Sequence, residues 1–140
     1  MKKEIDPQES NRAEAFSMWM SSPQPMVTLV KTFDVTHLVK VSKKSGVKFN
    51  VLMCWCIGRA AKDIKEFYLL PERLWVGDGT SGMQGKLFQF DRLAINVIVE
   101  NRKGWFKITL PISFQFHHVQ MDGGHAARFL AKLEKEIKQI

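Results

Sequence analysis

The sequence predicts an α+β fold, with helices packed on a mostly antiparallel sheet, and three patterns carry that reading. Near the C-terminus, Ala126, Phe129, Leu130, Leu133 and Ile137 recur at helical spacing with Lys and Glu between them, the stripe of a helix with one buried face. Immediately upstream, Ile112, Phe114 and Phe116 alternate with Ser113 and Gln115, the period of a strand with one buried face. Two extended runs, Leu93 to Glu100 and Trp105 to Leu110, flank Asn101-Arg102-Lys103-Gly104, which reads as a hairpin turn and makes neighbouring strands antiparallel.

In chain order, Ser10 to Met20 places Arg12, Phe16 and Met20 at helical spacing, and Ser21-Ser22-Pro23 stops the helix. Met26 to Phe33, rich in Val, Leu and Thr, reads as a strand. Thr36 can cap a short helix that runs to about Lys43 and ends at Gly46. Asn50 can cap a longer helix to Phe67, with Met53 or Cys54, Ile57, Ala61 and Ile64 on one face. From Leu70 to Lys86, Pro71, Gly77, Gly79, Gly82 and Gly85 mark a loop with at most a short strand around Leu74-Trp75-Val76. The strand through Phe116 then delivers His117 and His118, and the last helix follows Gly123-Gly124.

A chain of 140 residues, 45% hydrophobic and 25% charged, has room for a single domain over residues 1–140 with a sizeable core, and its composition excludes collagen-like, low-complexity and disordered classes. No apolar run approaches the roughly 20 residues that span a bilayer, and Met1-Lys2-Lys3-Glu4 leads into polar residues, so the expectation is a cytoplasmic protein without membrane association. The formal charge of +7 could serve an anionic ligand or solubility; with no nucleic-acid-binding motif beside it, charge alone supports only non-specific, salt-sensitive attachment to nucleic acid. Cys54 and Cys56 are too few for a disulfide framework and too close for an ordinary bridge on a helix, so both are expected as free thiols.

The chemistry concentrates in Phe116-His117-His118-Val119-Gln120-Met121-Asp122-Gly123-Gly124-His125, where a strand turns through an acidic, glycine-rich corner into a helix. Histidine exchanges its proton near neutral pH, so the pair is a candidate general base. Taken alone, the two histidines could equally be ligand-free side chains at a strand end, and Asp122-Gly123-Gly124 a simple turn and helix cap. His37 and His125, each near the start of a helix, are expected in surface or capping roles.

The His-His, three residues, Asp-Gly order between a strand and a helix resembles the signature of the chloramphenicol acetyltransferase family. Further resemblances are Asn11-Arg12-Ala13-Glu14-Ala15-Phe16 to the family's first helix, Phe33-Asp34-Val35-Thr36 to its strand and helix start, Gly46-Val47-Lys48-Phe49 with Glu66-Phe67 to the frame of its second helix, and Leu110-Pro111-Ile112-Ser113-Phe114 to the strand before the histidines. The resemblance implies that His118 is the base that deprotonates an acceptor hydroxyl, and that Asp122 is a structural carboxylate paired with Arg12. It also implies a homotrimer with sites at subunit interfaces. Such a buried pair can be bidentate.

The chain departs from the family by its short middle. Only Tyr68 to Thr109 separates the Glu66-Phe67 and Leu110-Pro111 landmarks, and no counterpart of the family's oxyanion-stabilising serine segment is visible. Losing one oxyanion donor costs about 10²–10³ in rate. Ser113, Thr80 and Ser81 are the hydroxyls that could substitute.

Met53-Cys54-Trp55-Cys56 adds a second feature. Cysteine on an amphipathic helix is ordinarily a small buried hydrophobe, but it is also a soft thiolate ligand. With seven Met and abundant aromatics, the shortened scaffold is expected to bind a small hydrophobic ligand or cofactor, haem b being the first choice, for a cytochrome-like redox or sensing role. The expected cofactor-binding residues are Cys54, Cys56, His117, His118, Trp19 and Phe116, with the metal ligand among Cys54, Cys56 and His118. The absence of Cys-x-x-Cys-His excludes covalent c-type attachment, and Cys-x-Cys does not fit structural zinc spacing. The alternative is a minimal O-acetyltransferase with His118 as base and acetyl-CoA as cosubstrate.

Overall fold

The structure is a computed structural model that describes residues 2–75, 83–89 and 96–140, with the side chains of 70–75, 83–89 and 96 left aside. Its elements run β1 (Lys3–Ile5), a 3₁₀ turn (Pro7–Glu9), α1 (Ala13–Met20), β2 (Met26–Asp34), α2 (Thr36–Ser45) and α3 (Phe49–Ala61). A second 3₁₀ turn (Lys65–Tyr68), β3 (Leu69–Trp75), β4 (Met83–Gln89), β5 (Asn96–Val99), β6 (Thr109–His117) and α4 (Gly123–Gln139) complete them. The strands form two three-stranded sheets, β1-β4-β3 and β2-β6-β5, antiparallel at every pairing. The α+β architecture read from the sequence is therefore the observed one.

The main core lies between the β2-β6-β5 sheet and helices α2, α3 and α4. Along β6 the alternation works as the pattern requires: Leu110, Ile112, Phe114 and Phe116 are buried and their neighbours are not. Opposite them, α4 buries Ala126, Phe129, Leu130, Leu133 and Ile137, all five residues of the predicted stripe. Phe114 is the hinge of this packing, its ring centroid 4.8 Å from Phe129 and 5.4 Å from Phe67. A smaller cluster, Phe16, Met20 and Val119 with Trp19 and Leu69 against it, attaches α1 to the corner after β6.

Pro111 sits inside the central strand, where a missing N–H would ordinarily break a ladder. Its carbonyl accepts from the Glu100 N–H at 3.2 Å, so its ring nitrogen faces the same side, just past the end of β5 at Val99. The one bond proline cannot make is the reciprocal donation to the Glu100 carbonyl, beyond the end of the strand.

Four expectations about local structure are corrected. In the glycine- and proline-punctuated stretch, β3 and β4 are paired antiparallel, with Leu69 opposite Gln89 and Trp75 opposite Met83; the rest of the expected loop, with Val76, Gly77, Gly79 and Gly82, lies outside the described residues. The hairpin between β5 and β6 is longer than a turn at Asn101–Gly104, because β6 begins at Thr109 and Trp105–Leu110 is not a strand of its own. Asn50 lies inside α3, which starts at Phe49 and ends at Ala61, short of Phe67. Thr36 is the first residue of α2 and not its cap; the Asp34 carboxylate accepts from the Thr36 N–H at 3.0 Å and from its hydroxyl at 2.6 Å, while Thr36 Oγ1 accepts from the Ile108 N–H. Gly46 ends α2 as expected, at φ 73. Among the described residues no helix is long and apolar enough to cross a membrane.

Candidate functional site

The corner after β6 is built by hydrogen bonds that hold the chain in a tight turn. The His118 N–H donates to the Pro25 carbonyl at 2.7 Å, the Gln120 N–H to the His117 carbonyl at 2.8 Å, and the Val119 N–H to His117 Nδ1 at 3.2 Å. Arg12, the residue before α1, reaches in from the other side. Its Nη1 donates to the Val119 carbonyl and its Nη2 to the His118 carbonyl, each at 3.1 Å. The guanidinium fork thus grips two consecutive carbonyls, a geometry an ammonium cannot reproduce.

The pairing of Arg12 with Asp122 is looser than expected. Nε stands 3.9 Å from Asp122 Oδ2, and the aspartate side chain is 48% exposed, so the pair is neither buried nor bidentate. The fork is committed to the carbonyls, and the carboxylate is committed to α4. Asp122 Oδ1 accepts from the Gly124 N–H at 3.0 Å and the His125 N–H at 3.2 Å, and the His125 ring closes a capping box. Burial would raise the Asp122 carboxyl, but the His125 N–H, the His125 ring, Arg12 and the Gly124 N–H together outweigh it and hold the group below its ordinary value. His125 also sets Nε2 3.1 Å from Glu66 Oε1 and Nδ1 2.8 Å from Asp122 Oδ1, tying the turn before β3 to the corner. A capping role was legible for His125; its partnership with Glu66 was not, because nothing local in the sequence connects them. His37 is exposed, its Nε2 3.0 Å from the Ile140 carbonyl.

His118 itself lies flat on Trp19, centroids 4.0 Å apart and planes at 11°, with the Phe116 ring tilted at 56° and 6.1 Å away. Its Nδ1 is buried with no hydrogen-bond partner among the described residues. Arg12, Trp19, Phe116, His117, His118 and Asp122 are therefore brought together at one end of the sheet.

The two cysteines go elsewhere and diverge from each other. Two residues apart on a helix is about 200° of rotation, so one thiol faces in when the other faces out. Cys56 is fully buried in the main core, and burial, with Glu136 adding to it, pushes its thiol up to about 11. Cys54 is exposed and lines a half-open groove of about 430 Å³ between α3 and β5. Phe49, Met53, Ile57, Val97 and Val99 supply its apolar walls, and Arg102, stacked 4.4 Å over the Phe49 ring, stands at its rim. In the sequence Arg102 stands only in the expected turn and Phe49 only in the segment resembling the frame of the family's second helix; that the two meet depends on α3 lying beside the loop after β5.

The groove borders the part of the sheet where Val97 and Val99 oppose Phe114 and Ile112, so His118 lies further along β6 by four to six residues, roughly 14–20 Å. The three candidate metal ligands thus separate: Cys56 is walled into the core, and Cys54 and His118 belong to different sites. Among the described residues, no group of three or more His, Cys, Asp and Glu side chains converges as a metal site. Of the candidate oxyanion hydroxyls, Ser113 is on the sheet face opposite Phe114 and Phe116, and Thr80 and Ser81 lie outside the described residues.

An antiparallel sheet covered on one side by helices, with a histidine corner feeding the last helix, defines the class of fold. A solved chloramphenicol acetyltransferase structure has that fold: it is similar over 98% of this chain and 100% of that chain, with a TM-score of 0.72 and 14% sequence identity. At that identity the likeness is one of fold. No family model matches the chain, and no curated protein matches it.

Proposed function

We propose that this chain is a ligand-binding derivative of the chloramphenicol acetyltransferase fold that holds a flat hydrophobic cofactor, haem b, in the groove between α3 and β5. The observation that supports the reading is Cys54: a solvent-accessible soft donor set in an apolar groove of small-molecule size. The donor chemistry fits, since a cysteine thiolate is an established axial ligand of haem. Phe49, Met53, Ile57, Val97 and Val99 would sandwich the ring, and the Arg102 guanidinium at the rim suits a propionate carboxylate. Bound haem would supply one-electron redox chemistry or gas sensing. The residues of this chain would orient it and exclude water from one face, in an assembly proposed as a homotrimer.

Hemin titration of the wild type, Cys54→Ser and Cys56→Ser tests the reading. A Soret band is expected for the wild type and Cys56→Ser and a shifted or absent band for Cys54→Ser; the same spectrum in all three, or none in any, overturns it.

The geometry at His118 favours a second reading, a minimal acetyl-CoA-dependent O-acetyltransferase. The ring is held by Trp19, and its corner by the Arg12 fork. In that reaction His118 takes the proton of an acceptor hydroxyl, the oxygen attacks the thioester carbonyl, and the proton leaves on the thiolate of coenzyme A. Thiol release from acetyl-CoA with chloramphenicol as acceptor, abolished in His118→Ala, would establish it. Release unchanged in that variant would remove it.

A further inference from the structure

The loop that joins β5 to β6 carries a feature that neither site uses. Lys103 and Thr109 exchange backbone hydrogen bonds of 2.9 and 2.8 Å across its neck. Inside the neck Gly104 has φ 102, and a Cβ there would meet the Lys107 carbonyl oxygen at 2.2 Å. Only glycine fits this left-handed conformation without a clash. The tip so formed presents Trp105 and Phe106, 94% and 97% exposed. Each such side chain carries roughly 150–250 Å² of mostly apolar surface, and a closed neck holds both in water instead of letting them fold back onto the chain.

Their surroundings are basic. From Glu100 to Lys107 there is one acid against Arg102, Lys103 and Lys107, all exposed. Lys107 is 73% exposed, with Asp34 at 4.0 Å as its ion-pair partner. We infer that this loop docks the protein on an anionic phospholipid surface, Trp105 and Phe106 entering the boundary between headgroups and acyl chains while Lys103 and Lys107 face the lipid phosphates.

Charge complementarity selects this occupant over a protein. Lysine is depleted from the centres of protein interfaces, whereas an aromatic tip ringed by cations matches both layers of an anionic bilayer surface. No spanning helix is required for docking of this kind. The formal charge of +7 adds long-range attraction to the same partner. The inference is independent of what Cys54 or His118 binds.

Co-sedimentation of the full chain with vesicles tests it. The wild type is expected to sediment with phosphatidylcholine–phosphatidylglycerol vesicles at low salt and not with phosphatidylcholine alone. A Trp105→Ser/Phe106→Ser variant should lose about tenfold or more in partitioning, with an unchanged far-ultraviolet circular dichroism spectrum. A Lys103→Gln/Lys107→Gln variant should bind with a shallower salt dependence. No sedimentation with anionic vesicles, or equal binding by the aromatic variant, overturns the inference. So does a wild-type oligomer in sedimentation velocity that the aromatic variant abolishes while vesicle binding is unaffected, since a second copy would then be what covers the loop.

Discussion

The imidazole of His118 stacks on the indole of Trp19, ring centroids 4.0 Å apart and planes within 11° of parallel. The contact joins α1 to the far end of β6, and with the Arg12 fork it gives the histidine corner a fixed position on an element close to the N-terminus. Trp19→Ala removes the stack and part of a small apolar cluster. The stack alone is worth about 0.5–1.5 kcal/mol beyond area burial. The variant should unfold at lower urea, and the His118 ring protons should lose the ring-current shift that the indole imposes in proton NMR.

Arg12→Ala leaves the carbonyls of His118 and Val119 without their charged donor. Hydrogen bonds to charged groups contribute about 1.5–3 kcal/mol each, so the loss should be about 3 kcal/mol by urea denaturation. Arg12→Lys should recover only part of it, because one ammonium cannot span two carbonyls as the fork does. Equal stability of the lysine variant and the wild type would contradict the geometry.

Acid should act on the same corner through Asp122. A carboxyl held below its ordinary value of 3.8 contributes stability that is fully present above that value and is lost as pH falls through its lowered value in the folded protein. Asp122→Asn keeps an oxygen acceptor for the cap of α4 but has no charge to lose. Its urea midpoint should therefore be lower than the wild type's near neutral pH and should fall less steeply as pH drops past 3.8. Parallel curves would point instead to carboxyls such as Asp34 and Glu134, which are also held low.

The cysteines should differ sharply in reactivity. A thiolate is the reacting form, and Cys56 is buried with its thiol near 11 while Cys54 is exposed. Ellman's reagent should titrate one thiol promptly in the native protein and the second only after unfolding. Cys54→Ser should abolish the prompt phase, and Cys56→Ser should preserve it.

Much of the fold was legible because its period is local. The α4 stripe and the β6 alternation are written residue by residue, and all eight apolar positions they name, from Ile112 to Ile137, are buried. The pairing of β3 with β4 was not legible, since Pro71 and Gly85 read as loop signals and only pairing across the sheet makes those two segments extended. The same holds for the start of β6, where the pinned neck at Gly104 keeps Trp105 and Phe106 out of the strand although both favour it. At the corner, the residue types were readable but not their partners. Arg12 and Asp122 were both expected there, yet the fork's choice of carbonyls over carboxylate depends on the turn at residues 117–121, which only the assembled chain creates. For the cysteines, helix geometry requires that one face in and one out; which one does so is decided by where α3 meets the sheet.

The central claim, that this chain holds a cofactor through Cys54, is tested most directly by the absorbance spectrum of the dithionite-reduced, carbon monoxide-treated protein after loading with hemin, wild type beside Cys54→Ser and Cys56→Ser. The account predicts a wild-type band near 450 nm, the mark of thiolate ligation, that is lost in Cys54→Ser while Cys56→Ser keeps it. A band at the position typical of a histidine-ligated haem in the wild type and Cys54→Ser alike, or no hemin binding by the wild type, would contradict it.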